Sequence, residues 1–253
     1  MIARLGILGG GHLSGFVCEG LVASGWGGTL AVSPHNRAKA GDFVERFGAR
    51  IAADNQDLID GSDAVLVAVR PAQVEAALAG LRWPEGRVLL SAMAGVKSAA
   101  LEALAPGARV VRIMPISAAR IGASSTPLYP DDPEISALFS HVGTPIPMAS
   151  EAMLEAASVN AAAYGWYFKL IDTMIAANIA AGLDEATAKR MSVETLAATC
   201  AVARSSEATS AEIIETLATP GGITAQGLGV LDEGSGFAAW RAAYDAVAAR
   251  VRG

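Results

Sequence analysis

Five short apolar runs, each separated from the next by a stretch with helical patterning, fill the first half of the chain: RLGIL at 4–8, TLAVS at 29–33, DAVLVAV at 63–69, RVLLSAMAG at 87–95 and ARVVRIM at 108–114. Runs this apolar cannot turn a face to water, so the pattern predicts a parallel sheet with helices covering both faces. After GTPIPM at 143–148 the character changes. From Ser150 onward the sequence carries long helical patterns without a convincing strand, interrupted at GLDEAT (182–187) and TPGGIT (219–224). The expected division is a Rossmann-type α/β dinucleotide-binding domain over residues 1–148 and an all-helical domain over 149–253. Alanine-rich stretches such as NIAAGL and AYDAVAARV favour helix and allow close helix approach, as in a domain that completes its core against a second copy.

Composition removes several alternatives. A hydrophobic fraction of 52% with 17% charged residues supports a sizeable core, and a net charge of -6 without a basic cluster argues against a nucleic-acid partner. Cys18 and Cys200 lie in apolar helical patterns, as expected of buried thiols in a reducing cytosol rather than of a disulfide framework. The apolar start after Arg4 is broken by glycines and then Glu19, so it does not read as a secretory signal. The segment 156–183 carries Asn160, Lys169, Asp172 and Asn178, too many polar groups for a lipid-facing span. A cytoplasmic protein without membrane attachment is expected. His12, His35 and His141 are widely spaced with no carboxylate at ligand spacing, so no metal site is expected.

Three consecutive glycines, Gly9, Gly10 and Gly11, stand between the first apolar run and the first helical stretch. In that context Gly9 permits a tight turn, Gly11 lets a pyrophosphate approach the backbone, and the helix start supplies unpaired N–H donors. Ser14 takes the third small position of the fingerprint. The end of the second run selects the dinucleotide: Ser33, His35, Asn36 and Arg37 stand where an acidic residue would bind the ribose hydroxyls of NAD. The planar cationic fork of Arg37 suits a 2′-phosphate, so NADP(H) is the expected cofactor.

The chain resembles the pyrroline-5-carboxylate reductase family, which makes proline by NAD(P)H reduction of a cyclic imine. The likeness runs almost end to end. It includes the glycine loop, Asn36-Arg37, DAVLVAVRP where the family has D-x-x-x-x-A-V-K-P, SAMAGV, VRIMP, and TPGGITAQGLGVLDEG, which is similar to the family's S-P-G-G-x-T signature and following helix. The resemblance implies a dinucleotide domain joined to a helical domain that dimerises, with the active site between them. It also implies cofactor contacts from Gly9, Gly10, Gly11, His12, Leu13, Ser14, Ser33, Asn36, Arg37, Asn55, Val69, Arg70, Pro71, Ala94 and Gly95. Thr224 matches the threonine that hydrogen-bonds the substrate nitrogen.

A cyclic imino acid presents a carboxylate and a C=N bond. Gly221 and Gly222 can adopt dihedrals that aim successive N–H groups at one anion. Thr224 then lies close enough to orient the imine or help with a proton, with Ile223 beside it. The plain alternative for TPGGIT is an inter-helix turn with Thr224 as N-cap.

Two stretches depart from the family pattern. M-P-N-T-P reads Met114-Pro115-Ile116-Ser117-Ala118, replacing an amide near the nicotinamide with an alkyl group. S-G-S-G-P-A-Y reads Ser158 to Tyr164, with helix-compatible residues and the carboxamide of Asn160 at the expected substrate pocket. The expected function is NADPH-dependent reduction of 1-pyrroline-5-carboxylate to proline by a homodimer or higher oligomer. The alternatives are a reductase of another cyclic imino acid and a non-catalytic dinucleotide-binding regulatory homologue.

Overall fold

The apolar runs become the centre of an eight-stranded sheet in a computed structural model that describes residues 1–252. The strands are β1 (Arg4–Leu8), β2 (Thr29–Val32), β3 (Arg50–Ile51), β4 (Ala64–Val67), β5 (Val88–Ser91), β6 (Arg109–Ile113), β7 (Ser124–Tyr129) and β8 (Gly143–Pro147). Their order is β3-β2-β1-β4-β5-β6-β7-β8. The chain therefore reverses its winding direction between β1 and β4, the switch point where this architecture opens a crevice at the carboxyl ends of its strands.

Every residue of β4 and β5 is buried, and alternate apolar side chains enter different cores on the two faces of the sheet. Leu66 and Leu90 join Leu5, Ile7, Val17 and Leu21 in one apolar cluster, while Val65, Val67 and Leu89 join Leu58, Leu78 and Leu101 in the other. The helices on these faces are α1 (His12–Ala23), α2 (Arg37–Phe47), α3 (Asn55–Asp60), α4 (Val74–Leu78), α5 (Ser98–Leu104) and α6 (Pro133–Phe139). Capping follows the sequence: Asn36 accepts from Lys39 N, Asp54 from Asp57 N, and Asp132 from Glu134 N and Ile135 N.

The five runs pair parallel as expected, and the antiparallel step comes with a strand that the sequence reading did not include. β6 and β7 pair antiparallel, because the link between them holds only a 3-10 segment, Ser117–Ile121, too short for a crossover. β7 and β8 are parallel again, with α6 as their crossover.

Residues Met1–Ala161 form one compact unit and Ala162–Ala249 a second. α7 (Glu151–Ala157) belongs to the first, although the sheet ends at Pro147, because its Glu151 and Glu155 reach the buried Arg112 of β6. The remaining helices are α8 (Val159–Ala180), α9 (Glu185–Ser205), α10 (Ser210–Leu217), α11 (Ile223–Glu233) and α12 (Gly236–Arg252). Asp184 caps α9, and Thr209 with Glu212 forms a capping box on α10. Trp166 and Tyr167 of α8 pack their rings on Trp240 and Tyr244 of α12, and the two tyrosine hydroxyls hydrogen-bond at 2.7 Å. Among the described residues no helix is long and apolar enough to cross a membrane.

The helical unit leaves many large apolar side chains uncovered in one chain, among them Met191, Val202, Leu217 and Val230. Cys200, expected to be buried, is exposed on α9 for the same reason. Cys18 is buried in α1, where desolvation pushes its thiol up to about 12.

Candidate active site

The glycine turn is built by close backbone approach. Gly9 has φ +110°, and a Cβ there would lie 2.6 Å from the Ala68 carbonyl oxygen at the end of β4. Gly11 N donates back to Gly9 O at 2.8 Å. Ser14 is more than a small residue: fully buried, its hydroxyl donates to Gly9 O at 2.7 Å and lies 3.0 Å from Gly11 O, stitching the turn to α1. Gly11 is the N-cap of α1 and brings no side-chain cap, so the N–H groups of His12 and Leu13 start the helix unpaired by any cap. His12 is exposed and Leu13 half-buried; Gly10 packs toward Phe43.

The other expected cofactor residues follow the carboxyl ends of neighbouring strands in the order β2-β1-β4-β5. Ser33, directly after β2, is buried and donates to Asn55 Oδ1 at 2.6 Å, bringing the first residue of α3 to the same edge. Asn36 is engaged as the cap of α2, and Arg37, its first residue, is exposed with no acidic partner among the described residues. Val69, Arg70 and Pro71 follow β4, with Arg70 exposed at the head of a 3-10 turn. Ala94 and Gly95 follow β5 and are exposed, Gly95 with φ +77°. The first unit thus gathers the expected set along one edge of the sheet.

In the helical unit the TPGGIT turn ends α10 and begins α11. Gly221 adopts φ +74°, as expected, but Gly222 is extended at φ −79° and ψ 160°. Its N–H is used inside the turn, donating to Thr219 O at 2.9 Å. Gly222 is also the N-cap, so Thr224 is the second residue of α11 rather than its cap. The unpaired donors are therefore those of the first turn of α11, beginning with Ile223 and Thr224. Both side chains are exposed, and among the described residues nothing hydrogen-bonds the Thr224 hydroxyl.

Residues 150–253 match the family model for pyrroline-5-carboxylate reductase dimerisation, and residues 4–95 match that described as NADP oxidoreductase, coenzyme F420-dependent. A pyrroline-5-carboxylate reductase from Synechocystis is 27% identical over 245 residues, covering 92% of this chain and 91% of that protein. The Arabidopsis thaliana pyrroline-5-carboxylate reductase is 25% identical, covering 98% and 94%. The structure of 1-pyrroline-5-carboxylate reductase from Streptococcus pyogenes superposes with a TM-score of 0.87 at 23% identity, covering 98% of this chain and 97% of that one. The chain is similar to the pyrroline-5-carboxylate reductases over nearly its whole length. A reductive aminase from Aspergillus terreus, solved with NADPH, shares the fold more loosely, with a TM-score of 0.55 over 80% of this chain.

The two stretches that depart from the pattern of the pyrroline-5-carboxylate reductases have defined surroundings. Ile116 N donates to Ser124 Oγ of β7 at 3.0 Å, and Ser124 shares a hydrogen bond with Thr126, so two buried hydroxyls hold the turn that carries the alkyl side chain. Asn160 turns its amide back to Ala157 O at 3.1 Å, leaving its carbonyl oxygen as the free half of the carboxamide.

Sequence reasoning missed one group. Arg112, on β6 two residues before Met114, is fully buried and donates to Glu151 Oε1 of α7 at 2.5 Å. Ser98 N and Ser98 Oγ both donate to that same oxygen at 2.7 Å. Burial pushes the Glu151 carboxyl up, but the bonds from Ser98 and Arg112 outweigh it and hold the group below the usual carboxylate range. The signal was in the sequence: an arginine inside the apolar run RVVRIM needs a buried partner.

Proposed function

We propose that this chain catalyses the NADPH-dependent reduction of 1-pyrroline-5-carboxylate to proline, acting as an oxidoreductase on a C=N bond. The observation that carries the reading is the TPGGIT turn, which leaves the Thr224 hydroxyl and the first N–H groups of α11 free in a chain whose glycine loop is shaped for a dinucleotide. The residues fit NADP(H). A Cβ at Gly9 would fill the space against Ala68 O, the start of α1 is uncapped by any side chain, and no acidic residue follows β2.

Gly9 to Ser14 would hold the pyrophosphate, Ser33, Asn36, Arg37 and Asn55 the phosphorylated ribose, and Val69 to Pro71 with Ala94 and Gly95 the stretch toward the nicotinamide. When bound, NADPH supplies a hydride to the imine carbon. The residues of this chain do the rest. First-turn N–H groups of α11 bind the substrate carboxylate, with Gly221 and Gly222 shaping the turn and Ile223 flanking it. Thr224 orients the ring nitrogen, which receives or already carries the proton that completes the secondary amine. Rate then comes chiefly from holding donor and acceptor carbons in register.

The exposed apolar residues of the helical unit support a homodimer, or a higher oligomer built from it, through the C-terminal helices. The enzyme would work in the cytoplasm. A second reading, reduction of a different cyclic imino acid, is favoured by Ile116 and by the half-free carboxamide of Asn160.

The test is NADPH oxidation by purified protein with 1-pyrroline-5-carboxylate and with five- and six-membered cyclic imino acids. Highest kcat/KM on 1-pyrroline-5-carboxylate supports the first reading, and preference for another ring supports the second. Tight NADPH binding without turnover on any would leave a regulatory homologue. Thr224→Ala should lower kcat about 100-fold with NADPH affinity unchanged; full activity would remove Thr224 from the mechanism.

A further inference from the structure

Three segments that sequence and fold place near the reacting end of the cofactor edge meet at one oxygen atom. β5 and β6 lie side by side and parallel, with Ser91 paired in register to Arg112, so the loops that follow them leave the sheet together. The first loop carries Ala94 and Gly95 and runs into Ser98, the first residue of α5; the second carries Met114 to Ile116. α7 lies across both and leads directly to Asn160 at the start of α8. Glu151 Oε1 accepts from Ser98 N, Ser98 Oγ and Arg112 Nη1.

The chemistry of this junction is unusual for a purely structural contact. One guanidinium faces two carboxylates, Glu151 and, at 3.6 Å, Glu155 Oε1. Arg112 is fully buried, yet its Nε and Nη2 have no hydrogen-bond partner among the described residues. A buried pair of this kind is often no more stabilising than apolar packing of the same volume. What it does supply is direction, since three donors converging on one oxygen fix the two loop ends relative to α7.

We propose that Glu151, through Arg112 and Ser98, is a positioning residue for hydride transfer: it holds the 92–96 and 114–117 loops in the relative placement that imine reduction needs. The inference rests on the reading of this chain as an imine reductase. It predicts that loss of the junction lowers kcat per folded molecule and leaves cofactor affinity unchanged, because misplacement of the reacting groups by even about 1 Å can cost on the order of 100-fold.

Two variants test it. Glu151→Gln removes the charge and keeps the size. The double variant Arg112→Met with Glu151→Met replaces the pair by apolar side chains, leaving of the original three charges only the partly exposed Glu155 carboxylate. The expected result in both is kcat per folded molecule at least about tenfold lower, with KM for the imine and Kd for NADPH within about twofold; Tm falls in Glu151→Gln, where Arg112 keeps only Glu155, and is held in the double variant. Amide exchange in the 92–96 and 114–117 loops of the NADPH complex should become several-fold faster, while β1 and β4 stay protected. Unchanged kcat per folded molecule, or loop exchange identical to wild type, overturns the proposal; if the double variant does not fold, Glu151→Gln alone decides. Wild-type protein inactive on every cyclic imine sinks the reductase reading instead, and the exchange measurement still decides whether Glu151 holds the loops.

Discussion

Ser33 Oγ donates to Asn55 Oδ1 at 2.6 Å, tying the end of β2 to the first turn of α3. The two residues are far apart in sequence, and Ser33 stands in the segment that leads to the exposed Arg37. The bond leaves the Asn55 amide and the Ser33 backbone on the edge where a phosphorylated ribose would sit. Ser33→Ala and Asn55→Ala should each weaken NADPH binding about fivefold, the worth of one ordinary hydrogen bond. Because the two share one bond, the double variant should lose less than the product of the singles, measured by NADPH titration.

Arg37 is an exposed charge with no acidic partner among the described residues. Arg37→Ala should weaken NADPH binding about 10–100-fold while NADH affinity stays within about twofold, since only the former carries the 2′-phosphate. Equal loss for both cofactors would show that Arg37 does not read that phosphate.

Gly20 sits on the buried side of α1, where a Cβ would lie 2.0 Å from the Ala119 carbonyl oxygen of the 3-10 segment. Gly20→Ala should destabilise the protein by about 3 kcal/mol, because backbone has to move to admit the methyl group. Gly41 in α2 meets nothing within 4 Å, so Gly41→Ala should stabilise by up to about 1 kcal/mol through helix propensity. Thermal unfolding of the two variants should shift Tm in opposite directions.

Asp63 accepts from Ala3 N, Arg4 N and the Arg4 guanidinium, anchoring β1 beside β4. Burial pushes its carboxyl up, and these bonds outweigh burial, so its folded pKa lies below the ordinary value. Stability from this group is present above the unfolded carboxyl pKa, about 4, and is lost as pH falls through the lower folded value. Asp63→Asn should therefore melt a few degrees below wild type at pH 7, with the gap closing in acid. A gap of equal size at low pH would assign the effect to packing.

The uncovered apolar residues of the helical unit predict self-association. Sedimentation should give at least twice the 25.7 kDa chain mass, and Met191→Asp with Val202→Asp should shift the protein toward the monomer or abolish soluble expression. A wild-type monomer would contradict the dimer reading.

The positions of β1, β2, β4, β5 and β6, the glycine turn and the change to helix after Met148 were legible in the sequence, because period and turn chemistry act within a few residues; the edge strand β3 and the strands β7 and β8 were not. The sequence alone also placed Gly9 to Ser14 after the first strand and Arg37 at the start of α2. It could not show that Gly222 spends its N–H on Thr219, which depends on how the turn closes. Nor could it show the antiparallel β7, since SSTPLY carries the same residue types whichever way it pairs. Cys200 looked buried because its immediate neighbours, LAATCAVA, are mostly apolar, yet in one chain it is exposed on α9. Ser33 with Asn55, and Arg112 with Glu151 and Ser98, are the tertiary structure's own decisions. A buried polar group demands a partner, but local sequence cannot say which one: only the sheet order, which carries residues far apart in the chain to adjoining strand ends, selects it.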